Sequence, residues 1–489
     1  MSPLTLSALL DRAISTHGHR AIVQIDDDGT RQVLRLGDVA RRARALGRGL
    51  RAMGLPQGAV VAVMAGNAAA YLEALWGVTA AGMVLHPLNP RSTHDALRHA
   101  LTRGDVCILA DAAHAARARV LQREAAMPWC VVLGDVTDES HAWEAVRALG
   151  ETHEIFAVDD EHLPAVMCEV NGTVGLPRAV VYSHRALVLH AMACATVDGL
   201  GLSRRDVVLP ALPLHHANGC GLPFTLALLG HGMVLVDPGV TPARLRAVLA
   251  DEGVTFAAGV TAGWVALEAE LSARPEGPRL PRGLRLLAGG NAAPDSLLTA
   301  MAARGVEVLH VYGMTETGPL ATASRGEAGQ GEVVPGMALR VVDERGDERP
   351  RDGVSEGEVQ LRAPWIVEGY VGEGSTPDRW STNGWLRTGD LGVRDARGAL
   401  RITGRHKPLV RCGATWIDTG VVARLAAAHP DVAAVTVRGT THPTLIEQPL
   451  VRAVLKPGAS LDPAALAAYV RAGWTVGEAP PVAVELAGP

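Results

Sequence analysis

Short apolar runs rich in β-branched residues alternate with longer helical stretches through most of this chain, and that rhythm admits few folds. Leu36 to Met53 has the spacing of an amphipathic helix and Gly58 to Ala65 that of a strand; Asn67 to Ala81 is helical again and Gly82 to Pro87 is strand. The alternation returns at Ala257–Val260, Leu284–Ala288 and Glu307–Val311, each followed by a turn containing Gly or Thr. Apolar strands joined by helices form parallel sheets covered on both faces. Ligands bind such open sheets at the strand C-termini, so those turns are where chemistry is expected. From about Ala338 the segments shorten to Ala338–Asp343, Gly357–Arg362 and Leu400–Thr403, which predict antiparallel strands and a small barrel. After Gly404, helices over Thr419–His429 and Pro463–Ala472 and strands at Ala433–Arg438 and Leu450–Leu455 predict a small α+β domain. The expected fold is α/β: a large N-terminal domain (1–404) of two helix-covered, mostly parallel sheets plus a small β-barrel, then a small α+β C-terminal domain (405–489).

A length of 489 residues exceeds one ordinary core, and 48% hydrophobic content supplies more than one. The formal net charge of −5 offers no basic excess, so neither nucleic acid nor an anionic membrane is an expected partner. Cys107, Cys130, Cys168, Cys194, Cys220 and Cys412 form no CxxC pair and no metal-finger spacing, and read as buried reduced thiols. The start, MSPLTLSALLDRAISTHG, carries charge early and lacks an apolar stretch ahead of a cleavage site, so no signal peptide and a cytoplasmic location are expected. Between Asp206 and Asp237 there is no Asp, Glu, Lys or Arg, a length that could cross a bilayer. It contains His215, His216, His231 and three prolines, and reads instead as a buried strand, a loop and a buried helix.

Five segments carry residue types suited to chemistry. In Asn171-Gly172-Thr173-Val174-Gly175-Leu176-Pro177-Arg178 two glycines let backbone N–H groups approach an anion, while Thr173 adds a hydroxyl and Arg178 a charge. It lacks the GxxxxGK spacing of a Walker loop and also reads as a plain turn. His215 and His216, among apolar neighbours, suit either packing or a pocket wall. At Tyr312-Gly313-Met314-Thr315-Glu316 a strand ends in an aromatic ring, a hydroxyl and a carboxylate, able to stack a base, bond a phosphate and hold Mg²⁺, or else to form a capped turn. Asp390, after Gly389, sits as at a tight turn, where its carboxylate can accept two ribose hydroxyls or close an Asx turn. Gly404-Arg405-His406-Lys407-Pro408 reads as a basic turn at the domain junction.

Taken together and in this order, the five segments resemble those of the adenylate-forming superfamily of acyl- and aryl-CoA synthetases, luciferases and peptide-synthetase adenylation domains. The stretch from Gly82 to Arg91, "GMVLHPLNPR", is similar to the family's strand and turn there, and the likeness covers nearly the whole length. The resemblance implies ATP and Mg²⁺ as cofactors and a small acid as substrate. Residues 172–178 would cradle the β- and γ-phosphates. Gly289, Gly290 and Asn291 would lie against one face of adenine, with Tyr312 and Gly313 at the other. Thr315 would bond the α-phosphate, Glu316 hold the metal, Asp390 and Arg405 contact ribose, and His216 stand by the acid. The acid attacks already ionised, so catalysis is positioning and charge compensation without a general base.

The sequence also departs from the family pattern. Val170 and Val174 stand where hydroxyls are usual, Asn171 replaces Ser, Arg178 replaces Lys and Ala179 replaces Gly. Losing two hydroxyl donors costs on the order of a few kcal/mol of phosphate binding unless something compensates. Pro408 follows the turn where the family swivels between half-reactions, and Pro fixes φ near roughly −65°. Gly413-Ala414 replaces paired glycines beside the pantetheine arm, and a family Gly-Lys motif would fall at about Pro489, leaving Lys456 as the last lysine. These features make coenzyme A a doubtful partner and predict adenylation with direct transfer to a small-molecule acceptor. Three alternatives stay open: an ATP-dependent diazotase that activates nitrite for an aryl amine, a conventional acyl- or aryl-CoA ligase, and an inactive nucleotide-binding relative.

Overall fold

Three helices lying between two sheets organise most of the chain. The computed structural model describes residues 3–133, 141–152, 158–170, 178–290, 293–327, 329–372, 379–405, 409–412, 415–442, 444–474 and 479–487. Among these residues the strands form four sheets. The nine-stranded sheet runs, edge to edge, Glu332–Val333, Thr322–Arg325, Glu307–Tyr312, Arg285–Gly289, Phe256–Val260, Val207–Ala211, Gly232–Leu235, Ala21–Ile25 and Arg31–Arg35. Its central pairs are parallel and both edges antiparallel. The seven-stranded sheet runs His141–Ala142, Trp129–Val132, Asp105–Ala110, Val60–Met64, Val84–Pro87, Pro164–Val170 and Arg178–Ser183, with only the last pair antiparallel.

One buried cluster joins both sheets. It takes Ile22 and Val208 from the first, Val61 and Val63 from the second, and Leu46, Leu50, Trp76 and Val146 from helices Leu36–Ala52, Ala69–Ala80 and Trp143–Glu151. Backbone meets backbone here: a Cβ on Gly47 would lie 2.1 Å from the Gly77 carbonyl oxygen, and one on Gly49 1.9 Å from that of Val146. Separate clusters cover the outer faces, beneath helices such as Pro242–Asp251 and Thr261–Ala273 on the first sheet and Ala115–Glu124 on the second. The charge-free run resolves as expected into strand Val207–Ala211, a loop, and buried helix Ala217–Leu229, followed by strand Gly232–Leu235. Among the described residues no helix is long and apolar enough to cross a membrane. Cys107, Cys130, Cys168, Cys194 and Cys412 are buried.

The expected small barrel is a four-stranded antiparallel sheet, Ala338–Val342, Gly357–Arg362, Leu386–Arg394 and Leu400–Arg405. Beyond it, strands Thr415–Asp418, Leu409–Cys412, Ile446–Leu455, Val432–His442 and Ala483–Ala487 enclose their own core with helices Thr419–Ala427 and Pro463–Ala472. Lys456 is exposed, one residue past the strand Ile446–Leu455.

One buried ionic group was not legible in the apolar strand at 84–87. His86 is fully buried there, with Nδ1 2.9 Å from Asp105 Oδ1 and Nε2 3.2 Å from Glu169 Oε1. Arg103 Nε donates to the same Glu169 oxygen at 2.7 Å. Burial by itself would depress the imidazole pKa, but Asp105 and then Glu169 outweigh it and raise it from 6.5 to about 9. A group raised on folding stabilises fully below its unfolded pKa and loses that contribution as pH climbs through the folded value. Stability should therefore fall by on the order of a few kcal/mol between pH 6.5 and 9. Urea midpoints across that range should show the slope in the parent protein and a flat, lower profile in His86→Gln.

Candidate functional site

Chemistry-bearing side chains gather where the strands Arg285–Gly289 and Glu307–Tyr312 end. These strands are parallel with Gly289 beside Val311, so the backbone at Gly289 and Gly290 flanks Tyr312. Gly290 has φ +95°, a conformation that favours glycine. A Cβ on Gly313 would lie 2.8 Å from the Pro319 carbonyl carbon, so the chain can turn this tightly only without one. The Tyr312 ring is half-exposed while its hydroxyl is enclosed and donates to Asp390 Oδ2 at 2.6 Å. Burial first, and then the Asp390 charge, push the phenol pKa well above its usual value, which keeps the hydroxyl a donor.

Asp390 is 2% exposed, and its other oxygen pairs with Arg405 Nε. Neither residue is in a turn as the sequence suggested: Asp390 lies in strand Leu386–Arg394, directly opposite Arg405 in strand Leu400–Arg405. Gly389, at φ +75°, and a register shift after Leu391 supply the local kink that had read as a turn. Ladder pairing fixes the separation of the two charges.

A second cluster surrounds the short 3₁₀ turn Thr315–Thr317. Glu316 is 2% exposed, and its Oε1 accepts from the Tyr370 hydroxyl at 2.6 Å and from Arg379 Nη2 at 2.9 Å. Arg379 Nε also donates to the Tyr370 oxygen at 3.1 Å. The guanidinium of Arg178 lies 4.8 Å from the Tyr370 ring centroid, and Trp380 meets that ring edge-on at 5.4 Å. Burial, then Glu316, raises the Tyr370 phenol to about 12. Backbone contacts hold the frame: Tyr182 Oη donates to the Thr315 carbonyl, Val367 N to that of Glu316 at 3.1 Å, and Val371 N to that of Ala179 at 2.8 Å. Through Tyr370 the arrangement brings Arg178 near Glu316, which adjoins Thr315 in the turn.

The histidine loop is pinned from below. The Asn67 amide donates to the carbonyls of Pro210 (3.2 Å) and Leu212 (2.9 Å) and accepts from Leu214 N at 2.9 Å, while Tyr71 Oη donates to the Leu214 carbonyl at 3.0 Å. His216 is half-buried at the start of helix Ala217–Leu229, its ring 4.7 Å from that of His215. Burial, followed by His216 and Arg91, holds His215 neutral, well below the ordinary histidine pKa. The Ser183 hydroxyl caps helix His184–Ala195 by accepting from Ala186 N. Behind the turn at Gly318 lies the buried ring of His190, its pKa lowered by burial to about 4.

Asn171, Gly172, Thr173, Gly175 and Asn291 lie outside the described residues, as do Pro408 and Ala414. Tyr370, Arg379, Tyr182 and Asn67 escaped the sequence reading. Glu316 and Arg379 are 63 positions apart, and no spacing rule connects them. Among the described residues no three or more His, Cys, Asp or Glu side chains are placed to hold a metal ion between them. A lone buried carboxylate beside a hydroxyl-bearing turn fits Mg²⁺ well, since that ion is usually held by one or two carboxylates plus substrate phosphates.

Asp390→Asn would keep the shape of the first cluster but leave Arg405 facing a neutral amide. The urea midpoint should fall by the equivalent of about 1–3 kcal/mol, whereas Tyr312→Phe, which loses one hydrogen bond, should cost about 1 kcal/mol.

The sequence matches the family described as AMP-binding enzyme over residues 10–371. It is 38% identical over 466 residues to the long-chain-fatty-acid–CoA ligase of Thermus thermophilus, covering 91% of this chain and 85% of that protein. It is 32% identical over 492 residues to the 3-methylmercaptopropionyl-CoA ligase of Ruegeria pomeroyi, covering 96% and 90%. The fold is that of the amide bond synthetase McbA from Marinactinospora thermotolerans, with a TM-score of 0.84, 23% identity, and coverage of 98% of this chain and 95% of that one.

Proposed function

Because the chain belongs to the AMP-binding enzyme family and is an AMP-forming ligase, we propose that it joins a small carboxylic acid to AMP and then passes the acyl group to an acceptor. One observation carries this reading: two buried carboxylates, Asp390 and Glu316, flank the end of one strand, each held by a tyrosine hydroxyl and an arginine. Asp390 and Arg405 bind the ribose hydroxyls, and adenine lies between Tyr312 and the backbone at Gly289 and Gly290. Thr315 and Arg178, with residues 172–178, hold the phosphates. His216 stands beside the acid, and the His190 ring filling the space behind Gly318 supports an acid of modest size.

An oxygen of the ionised acid attacks the α-phosphorus, the α–β bond breaks, and pyrophosphate leaves. The protein aligns the two reactants and places positive charge around the phosphates. Glu316 would hold Mg²⁺, which when bound offsets the charge that builds on the leaving pyrophosphate. Residues 1–404 form the adenylation unit in this reading and 405–489 the small C-terminal domain.

The names of both relatives support coenzyme A as the acceptor. Pro408 and Ala414 support a second reading, direct attack by a small nucleophile, because they stiffen the two points the family moves or opens for thioester formation. Pyrophosphate release decides between them. Purified protein with ATP and Mg²⁺ is to be given fatty acids of graded length, 3-methylmercaptopropionate, aryl acids and nitrite, each with coenzyme A, with an amine, or alone. We expect release with a short or medium carboxylic acid, and near-complete loss in Glu316→Gln. A thioester product would fix coenzyme A, an amide with no thioester would fix direct transfer, and silence with every acid would contradict the proposal.

A further inference from the structure

Glu316 already has a cation. A carboxylate buried this deeply is costly unless it is paired and hydrogen-bonded. Its two partners differ in how firmly they are held. Tyr370 is 7% exposed and fixed from four sides: paired through its backbone with Val180, under the Arg178 guanidinium, against the Trp380 edge, and hydrogen-bonded to Glu316. The Arg379 side chain is 25% exposed. Among the described residues its other hydrogen bonds run to the Tyr370 hydroxyl and, at 3.3 Å, the Thr388 carbonyl. A quarter-exposed side chain held only by hydrogen bonds can be displaced toward solvent more readily than the enclosed tyrosine.

We propose that Arg379 is an internal counter-ion that occupies Glu316 in the empty enzyme and is exchanged for Mg²⁺ when the metal–nucleotide binds, after which its charge serves the polyphosphate. This rests on Glu316 being the metal ligand of the proposed function. The same oxygen, Glu316 Oε1, takes both the arginine and the tyrosine, so a metal on that oxygen competes with Arg379 directly. The direction of release also has a reason. Arg178 and Arg379 approach Tyr370, one at the ring face and the other at the hydroxyl, so a freed Arg379 stays beside the phosphate-facing cation. It would make up for the hydroxyl donors that Val170 and Val174 do not provide. The empty site is thus kept neutral and folded without metal, and the metal must outcompete an arginine to enter.

The exchange makes Arg379 a brake on metal binding, which a merely structural arginine would not be. Mg²⁺ should be titrated into the full-length protein with α,β-methylene-ATP, which cannot release pyrophosphate, and followed by calorimetry and by thermal unfolding. In Arg379→Gln the half-saturating Mg²⁺ should fall about tenfold, equivalent to ~1.4 kcal/mol of lost competition. The rise in Tm on adding Mg²⁺ should exceed that of the parent protein, because metal then relieves an unpaired buried carboxylate. Arg379→Lys, which keeps a charge but not the fork, should shift half-saturation in the same direction by a smaller factor and serves if the Gln variant does not fold. An unchanged or raised half-saturating Mg²⁺ in the foldable variant would overturn the exchange. Glu316→Gln separates the two claims: it should abolish the Mg²⁺ response, and if that response survives at the parent's midpoint, the assignment of Glu316 as metal ligand fails and the exchange with it.

Discussion

The site depends on two carboxylates held out of water. Asp390 and Glu316 are each 2% exposed, and each is met by a tyrosine hydroxyl and an arginine, the partners without which burying a carboxylate is costly. Those partners come from distant segments, so satisfying the charges also fixes the site's geometry. Asp390 draws Tyr312 of the nine-stranded sheet to Arg405 of the four-stranded one. Glu316 draws the turn after that same strand to Tyr370 and Arg379, and through Tyr370 to Arg178 at the edge of the seven-stranded sheet. Three sheets therefore meet at the end of a single strand.

The scaffold behind this meeting is apolar and close. Helices Leu36–Ala52, Ala69–Ala80 and Trp143–Glu151 touch through glycine backbones between the two large sheets, which sets the sheets in a defined relation. Asn67, beside one of those helices, uses three hydrogen bonds to hold the loop that carries His215 and His216. A rigid core thus positions polar groups on irregular backbone, the usual division of labour in open α/β sheets.

The strands that the sequence predicted were legible because their apolar runs are local signals, and the segments at 312–316 and 385–392 stood out because each gathers residues suited to chemistry within a few positions. What escaped was chemistry made by pairing across the fold. Tyr370 and Arg379 look like ordinary loop residues, and only the structure shows them on Glu316. His86 lay in an apolar run, and nothing nearby announced Asp105 and Glu169. Arg405 was recognised but placed in a turn, because Gly404 and the basic residues after it mimic one; ladder pairing with Asp390 carried the strand further.

The central claim is that an oxygen of the acid becomes bonded to the α-phosphorus. The most direct measurement uses an acid labelled with ¹⁸O in its carboxylate and follows the label by mass spectrometry after one round of transfer to the acceptor. If the acyl-adenylate forms, attack of the acceptor on the acyl carbon leaves the bridging oxygen behind, and the released AMP carries one ¹⁸O. AMP free of label, with ¹⁸O retained wholly in the acyl product or found in pyrophosphate, would contradict the account.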